Sequence, residues 1–211
     1  MNSPLSILLR EGTKESHRLA ETTPFIRQFF AGQLTPEAYR LFLVQLHHIY
    51  AALEQTHQRH SGHPVYGQVY FPALFRVDAL QADLEHYFAG ADWRAIEPSL
   101  ATKAYVARIL TLADEWAEGL VAHHYTRYLG DLSGGQALKR IVAKTFGLTS
   151  TLGVSFYEFP LVEDHKQFKD DYRARLDALN LDADACQRIV DEANHAFALN
   201  RDVFDAMLVA A

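Results

Sequence analysis

The sequence predicts an all-α fold. Apolar residues recur at helical spacing over long segments, proline and glycine signals punctuate those segments, and no stretch alternates regularly as a half-buried strand does. At 211 residues the chain can build one substantial hydrophobic core and is short for two, so residues 1–211 are expected to form a single domain.

The N-terminus carries the short apolar run Ser6-Ile7-Leu8-Leu9 before the polar segment Arg10 to Arg18, too short for a signal-peptide core or a membrane span. The clearest helix opens at Thr35-Pro36-Glu37, where Thr can cap, Pro suits the first helical position and Glu suits the first turn. Tyr39, Phe42, Leu43, Leu46, Ile49, Tyr50 and Leu53 then share one face, until Ser61-Gly62-His63-Pro64 stops the pattern. A shorter helix carries Val77, Leu80, Leu84, Tyr87 and Phe88 and ends at Gly90. Pro98-Ser99 opens a long segment bearing Tyr105, Val106, Ile109, Leu110, Ala113, Trp116, Leu120 and Val121, which runs with irregularities to Gly147. Residues 147–160 read as loop. Helices over roughly Asp164 to Leu179 and Ala183 to Leu208 follow, the second with Ile189, Val190, Ala193, Phe197, Phe204 and Leu208 as its apolar face. The total is roughly seven or eight helices.

A net charge of -6 argues against a general nucleic-acid or anionic-membrane binder, because phosphate binding needs a surplus of Lys and Arg. The single cysteine, Cys186, makes no internal disulfide, which fits a reducing compartment. The closing residues Met207 to Ala211 fall short of the roughly 20 apolar residues of a tail anchor, so a chain without a membrane anchor is expected.

The largest departure from helical rules is Tyr128-Leu129-Gly130-Asp131-Leu132-Ser133-Gly134-Gly135-Gln136. Three glycines enter a helical run, each costing roughly 1 kcal/mol relative to Ala. One reading is a loop between two helices. In the other the helix persists, Gly130 and Gly134 share a face, and their bare backbone lets a large flat group lie against the helix and lets the helix bend.

The run Val121 to Lys139 resembles the distal-helix signature of the haem oxygenase family. Leu9 to Glu21, Leu46 to Glu54, Val69 to Pro72, Phe168 to Arg175 and Glu192 to Asn200 extend the likeness in family order over nearly the whole chain. The resemblance implies a helical bundle with haem b sandwiched between a proximal helix, Leu9 to Glu21, and this distal one. It assigns His17 to the iron; Glu21, four residues on, shares its helix face and can orient the imidazole. It places Arg10, Tyr125, Lys169 and Arg173 at the propionates, with Thr126 and Phe197 also against the haem. Asp170 and Asp171 lie between Lys169 and Arg173 in sequence and can weaken the local positive field, depending on helix rotation. Catalytic roles fall to Asp131, Gly130, Gly134, Arg127, Tyr50 and Asn200, a polar network that can order water beside a glycine backbone aiming oxygen at the ring.

The implied reaction is oxygen- and electron-dependent cleavage of haem, at once substrate and cofactor, at its α-meso carbon to biliverdin IXα, carbon monoxide and ferrous iron. No dinucleotide fingerprint is visible, so the electrons are expected from an external donor, ferredoxin or a flavin reductase. A monomer in the cytoplasm, or in the plastid stroma for an organellar form, completes the expectation. Two rivals stand beside it. Glu54-Gln55-Thr56-His57 and Glu192-Ala193-Asn194-His195 each hold the Glu-x-x-His pattern of helical di-iron sites, and a haem-storage protein would use the same pocket without turnover.

Overall fold

The computed structural model describes residues 3–209, and among them it contains ten α-helices. They are α1 (Leu5–Gly12), α2 (Lys14–Glu21), α3 (Pro24–Phe30), α4 (Pro36–Arg59), α5 (Val77–Phe88), α6 (Leu100–Glu115), α7 (Leu120–His124), α8 (Gly130–Phe146), α9 (His165–Asp177) and α10 (Ala183–Val209). No strand is present among the described residues.

The stop and start signals act as expected. Thr35 Oγ1 accepts the amide of Ala38, Ser99 Oγ accepts that of Thr102, and Asp164 accepts those of Lys166 and Gln167. Gly147, at φ +65°, closes α8 in a conformation costly for any side chain. All seven residues read as the face of α4 are buried, each fully buried Leu or Phe contributing about 1.5–3 kcal/mol. Leu110, by contrast, is 40% exposed: it lies one residue beyond the buried Ile109 and so turns off the core face of α6.

Ten helices replace the expected seven or eight because the long run to Gly147 divides into α6, α7 and α8 and because threonines divide the N-terminal region. Thr13 Oγ1 donates to Leu9 O at 2.7 Å at the α1–α2 break, Thr22 Oγ1 to Arg18 O at 3.0 Å, and Thr23 Oγ1 to Ala20 O at 3.0 Å just before Pro24 opens α3. The long helix α4 packs on α5 and α6, and α10 touches α1, α2, α3, α6 and α7. The two therefore organise the bundle, and the helices that meet α10 supply one side of the site.

Burial also isolates three histidines. His57 lies among Tyr66, His124 and Tyr128, ring centroids 4.9, 4.9 and 5.6 Å away, with neither ring nitrogen hydrogen-bonded. Burial holds His57 well below the usual histidine range, lowers His123, and takes His124 to about 3. The fold keeps the His57 and His124 rings neutral while the unfolded chain protonates them near pH 6.5, so stability is full above that value and falls as pH drops towards their folded pKa. His57→Leu is expected to flatten the decline in unfolding free energy between pH 6 and 4.5 by about 1.4 kcal/mol per pH unit. Urea titrations across that range check it, and an unchanged slope contradicts it.

Candidate active site

A cleft of about 410 Å³ opens between α2 and α3 on one side and α8 on the other. Phe42 and Leu46 of α4, Phe197, Asn200 and Phe204 of α10, and Phe156 and Tyr157 of the 147–164 connection complete its walls. Ile26, Phe29, Phe30 and Leu138 extend the apolar lining, which suits a large flat ligand whose polar groups leave by one edge.

His17 faces the cleft from α2, half-exposed, its ring edge-on to Phe197 at 5.4 Å. Glu21 Oε2 lies 3.5 Å from His17 Nδ1, which leaves Nε2 as the nitrogen to offer a metal, the arrangement that fixes an imidazole ligand's orientation.

Across the cleft, α8 continues unbroken through Gly130, Gly134 and Gly135. The expected irregularity lies just upstream, where Tyr125–Leu129 forms a π turn. A Cβ built on Gly130 or Gly134 meets nothing within 4 Å, so these positions present bare backbone to an open slot. At Gly135 the same atom meets Tyr157 Cδ1 at 3.1 Å, so this glycine serves packing against the end wall. An imidazole on one wall and a side-chain-free helix face on the other fit a metallated macrocycle between them.

Behind α8 sits the polar network. The Tyr50 hydroxyl donates to Asp131 Oδ2, Arg127 Nε donates to Tyr50 Oη at 3.1 Å, and Arg127 Nη1 donates to Asn200 Oδ1. Asn200 Nδ2 donates to Ala196 O at 3.0 Å and reaches the Tyr105 hydroxyl at 3.5 Å. Burial raises the Asp131 carboxyl above the ordinary aspartate range against the opposing pull of Arg127 and the Tyr50 hydrogen bond. The Arg127 guanidinium resists its own burial because Tyr50 and Asp131 hold it charged. Asp131, Arg127 and Asn200 line the cleft, while Tyr50 is fully buried behind them.

An adjoining recess of about 420 Å³ is lined by Arg10, Glu11, Thr13, Lys14, His17, Tyr125 and Phe197. Burial raises the Tyr125 hydroxyl, and Thr13, Arg173 and Arg10 offset part of that rise, which puts both arginines in its electrostatic neighbourhood. Arg173 pairs with Asp170 at 2.8 Å, whereas Asp171 turns to Gln167, so one of the two interposed acids does weaken the cationic edge. Lys169 is half-buried on α9 and lines neither recess. Thr126 lines the main cleft, its hydroxyl donating to Ala122 O at 2.8 Å.

The carboxylates of the two Glu-x-x-His pairs are otherwise engaged. Glu54 Oε1 accepts the amides of Arg76 and Val77 at the start of α5; burial raises its carboxyl to about 7 while those amides pull it down. Glu192 resists burial through His123 and Arg108, which hold it at about 2. Among the described residues no group of three or more His, Cys, Asp or Glu side chains is placed to hold a metal ion, and the di-iron reading falls.

Residues that sequence reasoning passed over complete the site. Asp83, fully buried, accepts the amides of Gly153, Ser155 and Phe156 at 2.9, 2.9 and 2.8 Å, while Arg76 donates to the carbonyls of Phe156 and Glu158 and stacks 4.0 Å from the Phe159 centroid. These side chains hold the segment that carries Phe156 and Tyr157 into the cleft. Phe29 and Phe30 of α3 and Phe42 of α4 come from successive helices, but no local pattern singles them out as lining.

No helix among the described residues is long and apolar enough to cross a membrane. Comparison with known proteins agrees with the geometry. The model of the family described as Heme oxygenase matches residues 3–206. Heme oxygenase 1 of Gallus gallus is 47% identical over 210 residues, covering 98% of this chain and 71% of that protein. The heme oxygenase of Leptospira interrogans superposes with a TM-score of 0.93 at 39% identity, covering 96% of this chain and 99% of the other. Heme oxygenase-1 of Synechocystis sp. PCC6803, solved in complex with heme, gives a TM-score of 0.93 at 42% identity over 98% of this chain and 95% of that one. With the family profile, the relatives and the cleft all in agreement, the chain belongs to the haem oxygenase family.

Proposed function

We propose that this enzyme acts as one haem oxygenase domain that opens haem at its α-meso carbon, consuming dioxygen and externally supplied electrons and giving biliverdin IXα, carbon monoxide and ferrous iron. The observation that carries this reading is that His17 and the bare Gly130–Gly134 face line one slot. The haem complex of the Synechocystis relative supports the choice of occupant. When bound, haem supplies both the iron that activates dioxygen and the carbon that is attacked.

The chain's own residues hold, aim and protonate. His17 Nε2 is the iron ligand, kept in register by Glu21, and a neutral imidazole pushes less electron density onto iron than the thiolate that favours O–O cleavage. Arg10, Tyr125 and Arg173, joined by Lys169 once its side chain turns in from α9, would anchor the two propionates by charge-assisted hydrogen bonds, and that anchoring would decide which meso edge is presented for attack. The bare backbone at Gly130 and Gly134 would leave room beside α8 for a small molecule such as dioxygen. Asp131, its Oδ2 held by Tyr50, keeps Oδ1 for a water that carries protons into the cleft. Arg127 and Asn200 lock the carboxylate's orientation.

The test is aerobic turnover of hemin with reduced ferredoxin. The haem absorption band is expected to disappear as biliverdin absorbance grows, with the α isomer the main product on chromatography; β or δ biliverdin as the main product refutes the proposed orientation. Arg10, Lys14 and Arg173 around the mouth suit an acidic donor, so the rate should fall as salt rises. A rate indifferent to ionic strength removes ferredoxin and leaves a flavin reductase as the donor.

A further inference from the structure

The face of α10 turned towards the site bears Asn194, Phe197 and Asn200 at intervals of three residues, close to the helical repeat. Phe197 packs edge-on against His17, and Asn200 accepts from Arg127 in the network behind α8. Asn194, set within one of the Glu-x-x-His pairs, is half-buried and has no place in the chemistry above. Its amide is nonetheless saturated: Ser16 Oγ donates to Asn194 Oδ1 at 2.6 Å, and Asn194 Nδ2 donates to Gly12 O and to Val190 O, both at 3.1 Å.

These partners straddle the break between α1 and α2. Gly12 is the last residue of α1 and Ser16 lies in the first turn of α2, one residue before the iron ligand. The two helices join at Thr13, whose backbone (φ −105°, ψ 1°) is not helical. A junction of this kind is a hinge unless something outside it fixes the angle. Tight packing supplies part of the restraint: a Cβ at Gly12 would lie 2.6 Å from Val190 Cγ1, so α1 approaches α10 as closely as a residue without a side chain permits. Among the described residues, only Asn194 hydrogen-bonds to both arms of the break through a single side chain.

We infer that Asn194 and Ser16 form a positioning staple for the iron ligand, setting the tilt of α2 and with it the direction of the His17 imidazole. The inference rests on the reading of His17 as that ligand. Through the same helix, the staple ties the histidine side of the haem to Asn200 on the opposite side. Partners that orient a ligating histidine typically change metal affinity 10- to 100-fold when removed, so a remote staple of this sort should sit near the lower end of that range.

The experiment uses the full chain loaded with hemin. Two quantities are read: the rate at which hemin passes to an excess of a scavenging apoprotein, and the iron–imidazole stretching band of the ferrous complex in resonance Raman spectra. Asn194→Ala is expected to accelerate hemin loss about 10-fold and to shift and broaden the band, with Asn194→Asp, which keeps the acceptor for Ser16, lying between it and the wild type. Ser16→Ala should act in the same direction, and adding it to Asn194→Ala should change little further, because both remove one interaction. Urea midpoints of the hemin-free chains separate tilt from general stability. A lowered midpoint with unchanged hemin loss and band would make the contact purely structural and overturn the staple. Should Asn194→Ala fail to fold, Ser16→Ala alone decides. A wild-type complex without an iron–imidazole band would instead overturn the His17 reading, an outcome distinct from an intact band indifferent to Asn194.

Discussion

His17→Ala is expected to reduce biliverdin formation by more than about 100-fold, beyond the 10- to 100-fold typical of partners that merely orient a ligand. The fold should survive the change. His17 is half-exposed on α2, its side chain meets Glu21 and Phe197, and Ala is the best helix former, so the stability change should stay within about 0.5 kcal/mol. The variant is expected to lose the absorption band of an imidazole-ligated haem while keeping a helical circular dichroism spectrum. Added imidazole, which fits the space the side chain vacates, should restore part of the turnover. Wild-type turnover by His17→Ala would remove the imidazole from the iron and take the proximal assignment with it.

The second large effect concerns Asp131. With Asp131→Ala, hemin affinity should remain within a few-fold of wild type, because the carboxylate lines the wall opposite His17 and is tied up by Tyr50, so it is not read as an iron ligand. Biliverdin yield should nonetheless drop by about 100-fold or more, the usual worth of a positioned proton carrier. In its place, peroxide-driven oxidation of an added phenol is expected to rise, since oxygen no longer steered to the ring reacts with what diffuses in. Some stability is lost as well: the Tyr50 hydroxyl forfeits its acceptor and the Arg127 charge its nearest carboxylate, a change of about 1–3 kcal/mol. Asp131→Asn keeps an acceptor for Tyr50 and therefore isolates the proton function from the packing one. Normal biliverdin yield from either variant would end this role for Asp131.

Much of the architecture was legible because its signals are local. Thr35-Pro36, Ser99 and Asp164 cap helices through their own side chains, and the apolar face of α4 repeats over about four turns. The N-terminal breaks were not legible, since a threonine that bonds back to a carbonyl looks in sequence like one that sits quietly in a helix. The glycine run was visible as an anomaly, yet the π turn before it carries no side-chain mark; only hydrogen bonding through residues 125–129 reveals it. In the site, Phe197, Asn200 and Phe204 follow one helical stripe, and His17 and Glu21 another. The aromatic wall, Asp83 and Arg76 depend on contacts between segments many residues apart, which no periodicity encodes. The roles of Arg10, Lys169 and Arg173 came from family likeness, and the structure puts Arg10 and Arg173, though not Lys169, beside Tyr125 or its recess.

The π turn at Tyr125–Leu129 has a consequence for how tolerant this chain can be of change in length. Such a turn houses one residue more than the regular helix would over the same rise, and one residue is worth about 100° of rotation. Widening the turn absorbs that surplus, so Gly130 onward keeps nearly the phase a regular helix would give it, and excising a single residue between 125 and 129 would straighten the helix while leaving the glycines and Asp131 on the slot. What the surplus sets is the direction of the side chains within the turn itself, Thr126 into the cleft and Arg127 onto Tyr50, and a search for helical stability alone would edit that out.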